Sequence, residues 1–238
     1  MYIFVEVRET KDYYRNGPSS GKVKVRLEQA SGKRCLIVPY RQFGMNIVEK
    51  LQPHAVVISG FGGHFQSRNI EWFLGIDEVL HKSDIPILCI CGSHQLLAFS
   101  FNKNLKKLKA LRDEPIRRLN SQEDVPRRPR QDPRYDLSGF FVAEGFYPIV
   151  RVKQDPIFRG LPRTMIMRCS HYCEVKNLPQ DFIILAKSKH CRIEAMRHHN
   201  RPLYGTQFHP EAYEEPFLHG QRLLKNFAQV VKEFWSQK

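Results

Sequence analysis

The chain has 238 residues, 42% of them hydrophobic, which suffices for one large domain with a continuous core and is short for two enzyme domains. No run approaches the roughly 20 apolar residues of a membrane span, and Glu6 and Asp12 interrupt what would be the apolar core of a signal peptide. Six irregularly spaced cysteines argue against a disulfide framework, and a formal charge of +14 favours anionic partners; a soluble, cytoplasmic protein is expected.

In chain order, short apolar runs rich in β-branched residues alternate with longer amphipathic segments, the pattern of an α/β fold. Tyr2 to Val7 and Cys35 to Pro39 read as strands, with a weak helix from Lys22 to Ala30 between them. Phe43 to Leu51 reads as a short helix, and Ala55 to Ile58 as a buried strand that ends in Ser59-Gly60-Phe61-Gly62-Gly63. A helical pattern through Trp72, Phe73, Ile76, Val79 and Leu80 leads to the strand Ile85 to Ile90, which runs into Cys91-Gly92-Ser93-His94-Gln95 with almost no linker.

Periodicity fades over residues 103–134, where Lys, Arg and Pro dominate, so this stretch reads as a surface insertion within one domain spanning residues 1–238. Phe146 to Val152, Thr164 to Met167, Phe182 to Ala186, Ile193 to Arg197 and Leu203 to Phe208 follow as strands. The last helix, Gly220 to Phe234, shows one apolar face through Leu223, Leu224, Phe227, Val230, Val231 and Phe234.

Two constellations carry chemistry. A buried strand turning sharply into a helix exposes the residue at the turn, here Cys91, above the carboxyl edge of the sheet, where open α/β folds build their sites. Amides at the following helix start stabilise negative charge on the sulfur and can receive an oxyanion. Gln95, one turn on, shares the face of Cys91. The second constellation is Gly205-Thr206-Gln207-Phe208-His209-Pro210-Glu211, where a histidine and a glutamate two apart on an extended chain would point the same way. His209 then acts as general base toward Cys91 while Glu211 fixes its tautomer.

With these motifs the sequence resembles the class I (triad) glutamine amidotransferases, whose elbow is Gly-x-Cys-x-Gly-x-Gln and whose base motif is Gly-x-Gln-x-His-Pro-Glu. Asp155-Pro156-Ile157-Phe158-Arg159-Gly160-Leu161-Pro162 and Ser170-His171-Tyr172-Cys173-Glu174-Val175 are similar to the glutaminase domain of GMP synthase and its stand-alone relatives. The resemblance implies a flavodoxin-like open, mostly parallel sheet with helices on both faces. It further implies that Cys91 attacks the glutamine amide, that His209 protonates the departing ammonia, and that water hydrolyses the glutamyl thioester. Gly92 and the loop Gly60, Phe61, Gly62 would form the oxyanion hole, and Gln95, Ser170, His171 and Tyr172 would hold the substrate. The implied substrate is L-glutamine or another γ-glutamyl compound, with an acceptor substrate or a synthase partner of anionic character. Ser93, Cys89 and Tyr172 stand where the family usually has glycine, and Phe61-Gly62 where Gly-Pro is usual, so crowding of the elbow and altered access are expected.

Three rival readings compete. Cys89 with Cys91 and Cys169 with Cys173 form pairs that could ligate metal, but zinc sites more often use Cys-x-x-Cys, so neither a metal nor another cofactor is expected. Arg112, Arg117, Arg118, Arg127, Arg128, Arg130 and Arg134 could bind nucleic acid, but the aromatic platforms of single-strand binders are missing and Asp113, Glu114, Glu123, Asp124 and Asp132 dilute the charge. The third is a γ-glutamyl hydrolase that uses the same residues with water as the only acceptor. A membrane partner is not expected.

Overall fold

The structure, a computed structural model, describes residues 1–8, 10–18, 20–123 and 139–238. The strands β1 (Tyr2–Glu6), β2 (Cys35–Pro39), β3 (Ala55–Ile58), β4 (Ile87–Ile90), β5 (Ala143–Arg151), β6 (Thr164–His171), β7 (Phe182–Lys187), β8 (Ala195–His198) and β9 (Leu203–Thr206) form one mixed sheet. Its order is β2-β1-β3-β4-β9-β8-β7-β5-β6. From β2 to β9 the neighbours pair in parallel, and from β9 onward they pair antiparallel.

β1, β3 and β4 are buried at every position, which is why they read as unbroken apolar runs: in a parallel sheet helices cover both faces. Alternate residues then serve two cores. Ile3, Val5, Val56, Ile58, Ile87 and Cys89 join the side that holds α3 (Met45–Leu51), α4 (Leu74–Lys82) and α5 (Gly92–Asn102). Tyr2, Phe4, Val57, Leu88 and Ile90 join the side that holds α2 (Gly21–Ser31) and α6 (His219–Ser236). A short helix α1 (Thr10–Asn16) precedes α2; its sequence, TKDYYRN, has no apolar periodicity to announce it.

The helix expected through Trp72 to Leu80 is two pieces. A 3₁₀ turn, Ile70–Phe73, is capped by Asn69, whose side chain accepts from the Glu71 N–H, and α4 follows. β6 runs four residues beyond the expected Met167, because pairing with β5 continues to Ala143 opposite His171 and carries the strand to the sheet's carboxyl edge.

The start of the 103–134 stretch is docked on the fold. Leu105, Leu111 and Ile116 are buried, Pro115 bridges Cys173, and Arg118 bridges Phe140. Arg117 makes a paired hydrogen bond to Glu123 and stacks over Phe141, while Arg118 stacks over Phe140. Arg127, Arg128, Arg130 and Arg134, with Asp124 and Asp132, lie outside the described residues. Among the described residues, no helix is long and apolar enough to cross a membrane.

α6 closes the sheet. Its buried face, Leu223, Leu224, Phe227 and Val231, packs on the strands, and Asn226 donates to the carbonyls of Ile157 and Arg159, which docks the Asp155 to Pro162 segment. Asp155 caps that segment through the Ile157 N–H and pairs with Arg197 at 2.8 Å. Phe227 is 1% exposed and meets the Tyr204 ring edge-on. Phe227→Ala is expected to lower unfolding free energy by about 3–5 kcal/mol in denaturant titration, the usual loss for a deleted core aromatic. A loss below about 1 kcal/mol would mean that α6 is not a closing element.

Candidate active site

Cys91 joins β4 to α5 with no intervening residue, at φ 51° and ψ −110°. A non-glycine residue held there costs on the order of 1–3 kcal/mol and persists only where its surroundings fix it. Here the Cys91 N–H donates to the Thr206 carbonyl at 2.7 Å, and the Cys91 carbonyl accepts from the Gln95 N–H to begin the helix. Cys89, two residues back, packs in the opposite core, so the two thiols face away from each other and cannot share one metal ion. Burial pushes the Cys89 thiol far up.

Ser93 does not crowd the elbow. Its hydroxyl donates to the Ser59 carbonyl at 2.6 Å and ties α5 to the end of β3. His94 is fully buried with Nε2 3.0 Å from the Ile193 carbonyl, and burial pushes it down to about 3, so it stays neutral. Directly after β3, Gly60 faces the sulfur-bearing residue: a Cβ there would lie 2.9 Å from both Cys91 Cβ and His209 Cε1. That close approach leaves no room for a side chain. Phe61 lays its ring on Gly92, where a Cβ would meet it at 2.8 Å, and packs edge-on against Phe65. Arg68 stacks over Phe61 and donates to the Gly62 carbonyl. The Gly92 amide, in the first turn of α5, has no carbonyl of its own helix to bond.

His209 arrives by a different route from the one its spacing suggested. β9 ends at Thr206, and the His209 N–H donates to the Arg168 carbonyl of β6. Pro210 then opens a 3₁₀ turn, Pro210–Ala212, which swings Glu211 back so that His209 Nδ1–H donates to its Oε1 at 2.7 Å. The pair is therefore made by a turn and owes nothing to strand alternation. Arg26 of α2 holds the turn by donating to the carbonyls of Glu211 and Tyr213 and stacking over the Tyr213 ring; nothing in the sequence marked it. Burial pulls the His209 pKa down, but the Glu211 carboxylate and then the Cys91 sulfur outweigh it, and the net position is well above the ordinary imidazole value. With Nδ1 committed to Glu211, Nε2 is the nitrogen left for the sulfur.

The expected substrate contacts have mixed roles. The Gln95 amide nitrogen is committed to the Cys173 carbonyl and to Gln207 Oε1. Gln207 in turn directs its own Nε2 toward Cys91 Sγ at 3.7 Å. Gln95 thus reaches the site through Gln207, whose place in the base motif was the only signal for it. The Ser170 carbonyl is 3.9 Å from Cys91 Sγ, and its hydroxyl donates to Glu144. His171 is buried with Nδ1 donating to the Cys173 carbonyl. Tyr172 is buried, and its hydroxyl donates to Asp113.

Cys169, His171 and Glu194 bring possible ligand atoms within 4.8 Å of one another among the described residues, all buried. Burial pushes the Cys169 thiol far up and Glu194 up to about 7, so a cation would have to displace protons from both.

A thiol on a strand-to-helix elbow at the carboxyl edge of an α/β sheet, with an imidazole and a carboxylate beside it, places this protein among the hydrolytic enzymes built on an elbow cysteine. The chain belongs to the class-I glutamine amidotransferase family, whose sequence model matches residues 21–231. It is 33% identical over 187 residues to the glutamine-hydrolysing GMP synthase subunit of Pyrococcus abyssi, across 78% of this chain and 80% of that protein. A Thermoplasma acidophilum crystal structure assigned to the corresponding GMP synthase subunit shares the fold with a TM-score of 0.71 at 21% identity, covering 100% of this chain and 97% of that one. The glutaminase domain of Trypanosoma brucei CTPS with bound acivicin aligns with a TM-score of 0.63 at 18% identity, over 98% and 94% of the two chains.

Two titrations follow from this geometry. Glu211→Gln keeps the shape but removes the charge that most raises His209, so the alkaline limb of kcat/KM should move to lower pH and kcat should fall by about 10²–10⁴-fold. An unmoved limb would detach Glu211 from His209. For Glu194, the folded value of about 7 exceeds the ordinary 4.5, so between these values the native state holds more protons than the unfolded chain. Stability must then fall as pH rises through that window, by about 3 kcal/mol in total. Glu194→Gln should flatten that slope in urea titrations run from about pH 5 to 8, and a slope equal to wild type would refute the assignment.

Proposed function

We propose that this chain is a glutaminase that releases ammonia from L-glutamine through Cys91, His209 and Glu211, and passes it to an acceptor activated by a separate synthase subunit. The observation that carries the reading is the convergence at Gly60, where Cys91 and His209 both crowd one Cα while Glu211 holds the outer nitrogen of the ring.

In this mechanism the Cys91 thiol passes its proton to His209 Nε2, and the sulfur attacks the carboxamide carbon. The developing oxyanion lies between the Gly92 N–H and an N–H of the Gly60, Phe61, Gly62 loop. His209, whose protonated form burial opposes and Glu211 favours, then gives that proton to the leaving ammonia. It then takes a proton from the water that hydrolyses the thioester to glutamate. The Ser170 carbonyl and Gln207 flank the sulfur and restrict the approach of the substrate.

A separate synthase component is supported by the Pyrococcus abyssi relative, which is named as one subunit of its enzyme and is covered over 80% of its length. The formal charge of +14 suits an anionic partner or a phosphorylated acceptor. Arg117 gives little support to nucleic-acid binding, since its guanidinium group is paired with Glu123 and stacked on Phe141.

Glutamate release should be measured from glutamine and from γ-glutamyl peptides, for wild type and Cys91→Ala. Wild type is expected to prefer glutamine, and Cys91→Ala to lose at least about 10³-fold in kcat/KM. Preference for γ-glutamyl peptides would establish the hydrolase reading instead, and activity retained in Cys91→Ala would remove Cys91 as nucleophile.

A further inference from the structure

One carboxylate ties together three segments that surround the elbow. Asp113 is 8% exposed at its side chain and lies in the stretch after α5. Its Oδ1 accepts the Phe65 N–H at 2.7 Å. Its Oδ2 accepts both from His64 Nδ1 and from the Tyr172 hydroxyl, and these two donors are themselves 2.6 Å apart. The Asp113 N–H donates to Gln66 Oε1 at 3.2 Å. Backbone pairing continues the seam: the Ile116 N–H donates to the Tyr172 carbonyl and the Glu174 N–H to the Glu114 carbonyl.

What this carboxylate fixes is the geometry on both sides of the sulfur. On one side, Phe65 packs edge-on against Phe61, and Phe61 covers Gly92, so the position of the Phe65 backbone is passed to the loop that begins at Gly60. On the other side, Tyr172 is two residues from Ser170, whose carbonyl is 3.9 Å from Cys91 Sγ. The carbonyl of a bound amide must enter between these two walls. An ion-assisted hydrogen bond to a buried carboxylate is stronger than a neutral one, and its removal leaves donors buried without an acceptor.

We propose that Asp113 is a positioning residue for glutamine hydrolysis: together with His64 and Tyr172 it holds the Gly60 to Phe65 loop against the end of β6 and so sets the oxyanion geometry at Cys91. This rests on the glutaminase reading above. Asp113 touches no reacting atom in this scheme. It acts through the Phe65 amide and the Tyr172 hydroxyl, and the cost of losing it falls on the transition state.

The test compares Asp113→Ala, Asp113→Asn and Tyr172→Phe with wild type, each checked for thermal melting. Steady-state glutaminase kinetics are combined with the rates at which a glutamine-derived chloroketone and iodoacetamide alkylate Cys91. Asp113→Ala should lower kcat by about 10²-fold, the order of losing one oxyanion donor, with KM changed by less than about threefold. It should slow the chloroketone and leave the iodoacetamide rate within about twofold. Asp113→Asn keeps an oxygen for the Phe65 N–H and should recover most of kcat, while Tyr172→Phe should lose less than Asp113→Ala. The proposal is overturned if kcat is unchanged, if both reagents slow equally, or if Ala and Asn lose activity alike in step with their melting. A wild type that releases no glutamate from glutamine would instead defeat the glutaminase reading, and the two alkylation rates, which need no turnover, would still report on the loop.

Discussion

The carboxyl edge of this sheet is organised around the backbone of Cys91, held at φ 51° between a parallel strand and a helix. That conformation is unfavourable for any residue with a Cβ, so neighbouring groups must supply what the backbone loses. The Thr206 carbonyl takes its N–H, the Ser93 hydroxyl anchors the first helical turn to Ser59, and the absence of side chains at Gly60 and Gly92 lets the β3 loop close over the elbow. The same contacts that stabilise the turn bring a thiol, helix-start amides and the His209 ring to one place. Strain and site geometry are two consequences of one packing arrangement.

Charge in the site is controlled from outside it. His209 is buried, which disfavours its protonated form, yet a single well-placed carboxylate reverses the balance. That carboxylate is held by a turn whose carbonyls are gripped by Arg26 from α2, on the far side of the fold from α5. Gln95 and Gln207 form a comparable relay on the other flank, with a neutral amide directed at the sulfur. Beneath them, burial makes either anion expensive, pushing the Cys169 thiol far up and Glu194 up to about 7. The sulfur is thus bordered by groups whose charge states are set by their surroundings.

The departures from the family's usual residues are accommodated locally. Ser93 is satisfied by a carbonyl, Phe61 is sandwiched by Gly92, Phe65 and Arg68, and Tyr172 finds Asp113 and His64. Each replaces a small residue by one that makes an extra tie across the elbow. The loop after β3 is consequently fastened at several points, where a glycine-rich loop would rely on backbone alone.

Much of this was legible in the residues. The unbroken apolar runs at Ala55–Ile58 and Ile87–Ile90 announced strands buried on both faces, and the lack of any linker before Cys91 announced the elbow, because both depend only on local pattern. Cys91, His209 and Glu211 could be named because their motifs are contiguous in the chain. What tertiary structure alone decided was how these pieces meet. His209 and Glu211 pair through a 3₁₀ turn pinned to β6 instead of along an extended strand, Gln95 acts through Gln207, and Arg26 and Asp113 secure loops that lie far from them in the chain. Local sequence determines which residues can turn, bury or ionise, whereas contacts between distant segments depend on the packing of the whole sheet, which no window of sequence contains.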